Sequence, residues 1–293
     1  MDQVTPLDAS QFGPVPVLNA PQKGTRSSTP SRQSRLAKPK TEQRVIWNVP
    51  FDCVLMHEAL DSIAWLIQRG DPSYLITANL NYVMLHHQVA GLADITRGAA
   101  MILADGQPIV CRSRLGAPRL PARVAGSEMI FQLAERAAQQ NWGVYFLGGE
   151  PGEVQMCAEN LVAKYPNLRV AGAESPPFRE LSKLEQAEQD RRILDSNADI
   201  LLVAFGQPKG EQWIAKHYKR LGVPVSIQLG ASFDFVAGTA KRAPGIFQRL
   251  GMEWAYRMCS DPRRLVPRYA ANAAFLLKTV CRELLGKRSI DRA

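Results

Sequence analysis

The chain has 293 residues, 46% of them apolar, enough for one large core or two small ones. Five scattered cysteines without a CxxC pair, no apolar opening segment and no uncharged window of about 20 apolar residues argue against a disulfide scaffold, structural zinc, a signal peptide or a spanning helix, and for a reducing, cytoplasmic setting. The formal charge of +9 is uneven: seven Lys/Arg against three Asp/Glu in residues 1–44, seventeen against twenty in 45–240 and twelve against four in 241–293 give +4, −3 and +8.

Residues 1–44, rich in Pro, Ser and basic side chains without an apolar period, read as a disordered tail. It is either a weak electrostatic tether or solvated filler. From Val45 the chain alternates. Strand-length apolar runs occur at RVIWNV (44–49), SYLITAN (73–79), AAMILAD (99–105), GVYFLGG (143–149), LRVAGA (168–173), ADILLVAFG (198–206) and VSIQLG (225–230). Segments of helical spacing lie between them, including HEALDSIAWLIQRG, GSEMIFQLAERAAQQN and GEVQMCAENLVAKYP. This rhythm predicts an α/β fold over 45–240: a Rossmann-like parallel sheet with helices on both faces. Residues 241–293 add a basic helical appendage.

Polar and small residues gather where the strands end: Thr77 and Asn79, Asp105 and Gly106, Gly148 and Gly149, Gly206 to Glu211, and Gly230 to Asp234. Open α/β sheets bind ligands at that rim. In LADGQPIV the Asp105-Gly106 step is either an ordinary turn or a catalytic carboxylate presented by a strand. LGGEPGEV (147–154) is either a tight turn or a diphosphate contact at a helix start. The nucleotide and donor candidates are Gly148, Gly149, Gly206, Pro208, Lys209, Glu211, Gly230 and Asp234. His57, His86, His87 and His217 lack metal-ligand spacing and no Asp-x-Asp is present, so neither metal nor cofactor is expected. Arginine would then neutralise a phosphate leaving group. The last segment supplies it, with Arg242, Arg257, Arg264 and Arg268 interleaved with aromatics, before a helix with an apolar stripe of Ala270, Ala274, Leu277 and Cys281. Membrane surface, core packing and nucleic acid each explain such a helix.

ITANLNYV, LADGQPIV, RVAGSEMI, YFLGGEPG, FGQPKGEQWI, LGASFDFVAGTAKRAP and LGMEWAYRMCSDPRRLVPRY occur in the order and spacing of a known family. The chain resembles the inverting glycosyltransferases that include the N-acetylmannosaminyl transferases of wall teichoic acid and enterobacterial common antigen, over about residues 46 to 270. The resemblance implies a UDP-sugar donor, a polyprenyl-diphosphate-linked acceptor, no metal, and action on the anionic cytoplasmic membrane face in bacterial surface polysaccharide assembly, without nucleic acid. It implies Asp105 as general base, Thr77 and Asn79 in the same pocket, Arg123 facing substrate, and Arg257, Arg264 and Arg268 folding over the diphosphate. Arg242 joins that set by its charge. Two departures stand out: Pro208-Lys209-Gly210-Glu211 where many members have Pro-Lys-Gln-Glu, and SPPF (175–178) where Gly-Tyr-Phe is usual. They leave glucose as eligible a donor sugar as N-acetylmannosamine. A dimeric or trimeric core fits a site that the appendage completes only on the membrane. The alternative is a nucleotide-binding regulatory protein whose basic end binds nucleic acid.

Overall fold

The computed structural model describes residue 39, residues 41–240 and residues 253–285. Nearly all of the expected tail, with Arg242, lies outside the described residues, as do the side chains of Arg257 and Arg264. The described fold opens with a hairpin of Gln43–Ile46 (β1) and Val49–Asp52 (β2), paired antiparallel. This corrects the expectation of a single strand over 44–49. RVIWNV turns back at Trp47 and Asn48, whose φ values of 50° and 66° are both left-handed. Two such residues in succession give a turn whose twist matches the strands it joins. Asparagine tolerates this region, whereas tryptophan rarely enters it. Burial offsets the cost: the Trp47 indole, 1% exposed, meets the Phe275 ring in a T-shape at 6.3 Å and donates from Nε1 to Glu283 Oε1 at 3.1 Å.

The chain then runs through Met56–Arg69 (α1), Ser73–Ala78 (β3), Leu80–Gln88 (α2), Leu92–Gly98 (α3), Met101–Ala104 (β4), Gln107–Ser113 (α4), Gly126–Gln140 (α5), Gly143–Gly148 (β5), Glu153–Lys164 (α6) and Arg169–Glu174 (β6). Lys183–Asp195 (α7), Ile200–Ala204 (β7), Lys209–Leu221 (α8), Val225–Gln228 (β8) and Ser232–Ala237 (α9) complete the core, and Glu253–Ser260 (α10) and Pro262–Leu284 (α11) follow. Strands β3 to β8 form one sheet in the order β4-β3-β8-β7-β5-β6, every pairing parallel. Side chains alternate between its faces. Leu75, Phe146, Leu202 and Ile227 pack with α1, α5, α6 and α9, while Ile76, Tyr145, Leu201 and Val203 pack with the hairpin, α2, α4 and α8. Both faces are covered, which is why the strands read as continuous apolar runs.

Strand β4 is an edge, and the hairpin seals part of it. Asp52, 4% exposed, accepts the Ile102 N–H at 2.7 Å through Oδ2 and the Thr41 hydroxyl at 3.0 Å through Oδ1. Burial pushes its carboxyl above the ordinary value, and these hydrogen bonds oppose the rise.

Helix α11 lies on the hairpin side of the sheet. Leu265, Asn272 and Thr279 are buried and Phe275, Leu276 and Glu283 half-buried, at spacings of three and four residues. The stripe singled out in the sequence, Ala270, Ala274, Leu277 and Cys281, faces outward instead. No helix among the described residues is long and apolar enough to cross a membrane.

Candidate active site

Thr77 and Asn79 close β3, and Asp105 leaves β4, the adjacent strand. Ala78 pairs with Ala104, so Asn79 and Asp105 emerge side by side, and the Asp105 N–H donates to Ala78 O at 3.0 Å. The following backbone stays close: a Cβ on Gly106 would sit 3.7 Å from Asn79 Cα. Asn79 caps α2, its Oδ1 accepting from the Tyr82 N–H at 3.1 Å. Thr77 Oγ1 donates to Gln228 O at 3.1 Å and ties the ends of β3 and β8 together. Val124 N–H donates to Ala104 O at 2.9 Å, which delivers Arg123 to the same corner, where its guanidinium meets Glu128 at 2.9 Å. Gly126 opens α5 against Thr77. A Cβ there would lie 3.2 Å from Leu229 and 3.7 Å from Thr77 Oγ1, so glycine lets the positive end of α5 approach the rim.

Gly148, Gly206 and Gly230 end β5, β7 and β8, each with positive φ. At Gly148 the demand is steric as well, since a Cβ would lie 2.8 Å from Ala204 O. Gly149 N–H donates to Ala204 O at 3.1 Å, so these ends form one ledge. The helix start that follows does not present an open anion site. Glu153, 7% exposed, occupies the first turn of α6, accepting from the Glu150 N–H at 3.1 Å and from the Thr239 hydroxyl. Its own carboxylate therefore holds the position that the glycine-rich turn would offer a phosphate. Asp234, on α9, belongs to the same side: burial, then Glu153 and Asp234, push the Cys157 thiol up to about 12. The SPPF segment borders this ledge, with Ser175 donating to Gly149 O. A cavity of about 220 Å³ beside it is lined by Glu174, Glu185 and Glu188 with Arg192, an acidic set unsuited to a diphosphate.

The start of α8 carries the network that the sequence reading missed. Gln207 Nε2 donates to Thr77 O at 3.4 Å, while its Oε1 accepts from Asn81 Nδ2 at 3.2 Å and Arg268 Nη2 at 3.4 Å. One amide thus joins β3, α2 and the C-terminal helix. Glu211, 1% exposed, lies beneath it. Burial pushes its carboxyl up to about 7, and the Gln207 amide and Arg268 guanidinium pull it back only in part. Lys209 stands exposed at the helix start. Position 210 explains one departure from the usual motif. A Cβ there would collide with the Gln228 side chain, whose amide, oriented to donate to Val203 O at 2.7 Å and accept from Gly206 N–H at 3.0 Å, fills the space a glutamine at 210 would need.

The structure therefore brings Thr77, Asn79, Asp105 and Arg123 to one corner, with Pro208, Lys209, Glu211 and Arg268 across β8 from them. Gly148, Gly149 and Asp234 lie further along the rim. Among the described residues no group of three or more His, Cys, Asp or Glu side chains could hold a metal ion. His86 and His87 are engaged with the Thr96 hydroxyl at 3.0 Å and Trp47 O at 2.9 Å.

The profile of the glycosyl transferase WecG/TagA/CpsF family matches residues 44–290. The chain belongs to that family. Its relatives include the N-acetylglucosaminyldiphosphoundecaprenol N-acetyl-beta-D-mannosaminyltransferases of Bacillus spizizenii, 29% identical over 198 residues (68% of this chain, 75% of the relative), and of Bacillus subtilis, 30% identical over 182 residues (60% and 69%). The enzyme of the same description from Staphylococcus aureus strain MW2 is 29% identical over 225 residues, 75% of this chain and 85% of the relative. The parallel sheet and flanking helices are thus the scaffold of a glycosyltransferase family, and the rim built from β3, β4, β7 and β8 is its candidate active site. A carboxylate at such a rim can take a proton from a hydroxyl, and the cations opposite can meet a phosphate. Asn81 and Gln207 lay within quoted motifs and carried no distinguishing signal, because their importance comes from a helix about 60 residues downstream of Gln207.

Proposed function

We propose that this chain is an inverting glycosyltransferase that moves a sugar from a UDP-sugar to a polyprenyl-diphosphate-linked saccharide during assembly of a bacterial surface polysaccharide. The observation that carries the proposal is the corner where Asp105 leaves β4 beside Asn79 and Thr77, with cationic Lys209 and Arg268 across the rim. Inversion needs one base on the face of the sugar opposite the departing UDP. Asp105 accepts the acceptor hydroxyl proton as that oxygen bonds to C1, and the bond from C1 to the UDP oxygen breaks with its electrons going to the diphosphate. Lys209, Arg268 and the arginines of the C-terminal segment stabilise that charge, a role metals fill elsewhere. The names of the relatives support an acceptor bearing N-acetylglucosamine on undecaprenyl diphosphate, and the Gly210 and Gln228 pair marks where the donor pocket differs from the commoner motif. The outward apolar stripe of α11, with Arg263, Lys278 and Arg282 exposed beside it, suits peripheral attachment to the anionic inner face of the plasma membrane.

Asp105→Asn tests the assignment. With a panel of UDP-sugars and a polyprenyl-diphosphate sugar, transfer should fall by roughly 10²- to 10⁴-fold while UDP-sugar affinity holds. Turnover unchanged by the substitution would remove Asp105 as the base. UDP-sugar binding with no transfer by the unsubstituted protein to any acceptor would favour a nucleotide-binding regulator.

A further inference from the structure

A second exposed feature has no role in the rim. Between α4 and α5 the segment 114–119 carries Arg114, Leu115 and Arg119 outward, Leu115 being 78% exposed. The segment is built rather than slack. Ser113 Oγ accepts the Leu120 N–H at 3.2 Å and donates to Val110 O at 2.6 Å, closing its base. Arg44 from β1 donates to Ala117 O at 3.0 Å, and a Cβ at Gly116 would collide with that guanidinium. The result is a fixed loop that presents a large apolar side chain to solvent between two arginines.

The loop is joined to the end of α11. Arg112, two residues before Arg114, pairs bidentately with Glu283, Nη2 to Oε1 at 2.9 Å and Nε to Oε2 at 3.0 Å, both side chains under a fifth exposed. The next residues, Leu284 and Leu285, are 81% and 76% exposed. Three residues of chain span at most about 10 Å, so Leu115 stands no further than that from the Arg112 backbone, which the Glu283 pair ties to the end of α11. Of the ten exposed large apolar side chains among the described residues, five belong to this loop, to α11 or to the residue after it. The charge is one-sided. Residues 106–127 contain four arginines and no acid, and residues 262–285 contain five Lys/Arg and a single acid, Glu283, which Arg112 already neutralises.

We infer that the 114–119 loop and the outward face of α11 form one docking surface for an anionic lipid bilayer, with Leu115 inserting beside Leu284 and Leu285 and Arg114, Arg119, Lys278 and Arg282 at headgroup level. Fixed leucines ringed by arginines and free of uncompensated acids match the apolar-plus-basic requirement of an interfacial site. Two anchors on separate elements also set orientation, which one helix cannot do. Helix α4 connects the loop directly to Gly106, so the bilayer would hold the Asp105 corner at a fixed height above the headgroups. This inference rests on the membrane reading above and extends it to a second element.

The test is partition of the full chain onto vesicles of phosphatidylcholine with about 30% phosphatidylglycerol, against phosphatidylcholine alone. Leu115→Asp should weaken binding to the anionic vesicles by roughly ten- to a hundredfold, the range expected for withdrawing one buried leucine. Arg114→Glu with Arg119→Glu should weaken it comparably and flatten its salt dependence. Leu115→Trp should keep binding, with added fluorescence quenched by brominated lipid. An unchanged melting curve for each variant establishes that the fold is intact. Wild-type binding that Leu115→Asp leaves intact but Leu284→Asp abolishes would overturn the loop's part while the membrane reading stands. No binding by the wild type would remove both. Loss of self-association in Leu115→Asp with unaltered vesicle binding would show an interface between copies, and overturn the inference.

Discussion

Removing the Glu283 carboxylate by Glu283→Ala should release the C-terminal helix while leaving the sheet folded. The pair it makes with Arg112 is bidentate, the two side chains being 13% and 18% exposed. An exposed pair is worth about 0–1 kcal/mol, and breaking a fully buried one costs about 3–5 kcal/mol. This pair falls between them. The variant also leaves the Trp47 indole N–H without its acceptor in a side chain that is 1% exposed, at about 1 kcal/mol. A total of about 2–3 kcal/mol follows, and because both interactions fasten α11 to the core the effect should appear as local opening rather than global unfolding. Hydrogen exchange read by mass spectrometry should show the protected amides between Asn272 and Glu283 exchanging about 30- to 150-fold faster, with strand amides of β3 and β7 unaffected. Glu283→Gln, which keeps one acceptor oxygen for the Trp47 indole N–H and Arg112 Nη2 but loses the acceptor for Arg112 Nε, should lose less than Glu283→Ala. If exchange in α11 under Glu283→Ala stays within about threefold of wild type, the helix is held by its inward apolar contacts, Leu265, Phe275 and Leu276, and the reasoning fails.

Further outcomes concern the start of α8. Gly210→Gln should destabilise by about 1–3 kcal/mol through overpacking against Gln228; adding Gln228→Ala should recover at least about 1 kcal/mol of that in a double-mutant cycle by urea denaturation. Glu211 titrates near 7 in the fold against 4.5 as a free side chain, so between those values the folded state binds more protons than the unfolded one. Its contribution therefore turns against stability as pH rises from about 4.5 to about 7 and stays unfavourable above. Glu211→Gln should flatten that part of the stability profile and raise the melting temperature most at about pH 8, read by thermal denaturation across roughly pH 4 to 9.

The parallel strands and the polar strand ends were legible because both are local: apolar runs broken by glycine and aspartate mark where a chain leaves a sheet buried on both faces. What escaped the sequence reading is set by distant residues. RVIWNV resembles one strand because nothing in its apolar pattern announces a left-handed tryptophan, whose conformation is held by Phe275 and by Glu283, 236 positions away. Helix α11 offers two stripes, and hydropathy chooses Ala270, Ala274, Leu277 and Cys281 over one containing Asn272, Thr279 and Glu283. The buried face is the more polar because Arg268 and Glu283 on it meet Gln207 and Arg112, while the Thr279 hydroxyl bonds back to Phe275 O of its own helix. LGGEPGEV showed a helix start suited to phosphate, and only the fold reveals that Glu153 has taken the place. Pattern put Thr77, Asn79 and Asp105 at strand ends, the resemblance gave them their expected roles, and the pairing of Ala78 with Ala104 supplies the physical reason they meet.

The hydrogen bond from Thr77 to Gln228 has a consequence for how the protein is made. It spans 151 positions and joins the first strand of the sheet to the last. Closing so long a loop is entropically costly and slow compared with forming neighbouring helices. On the ribosome, β3 must wait with one side unpaired until β8 has emerged, so no nascent chain shorter than about Gln228 possesses the rim. The candidate active site is thereby absent from every such incomplete polypeptide, and the exposed flank of β3 is where a chaperone would be most needed during synthesis.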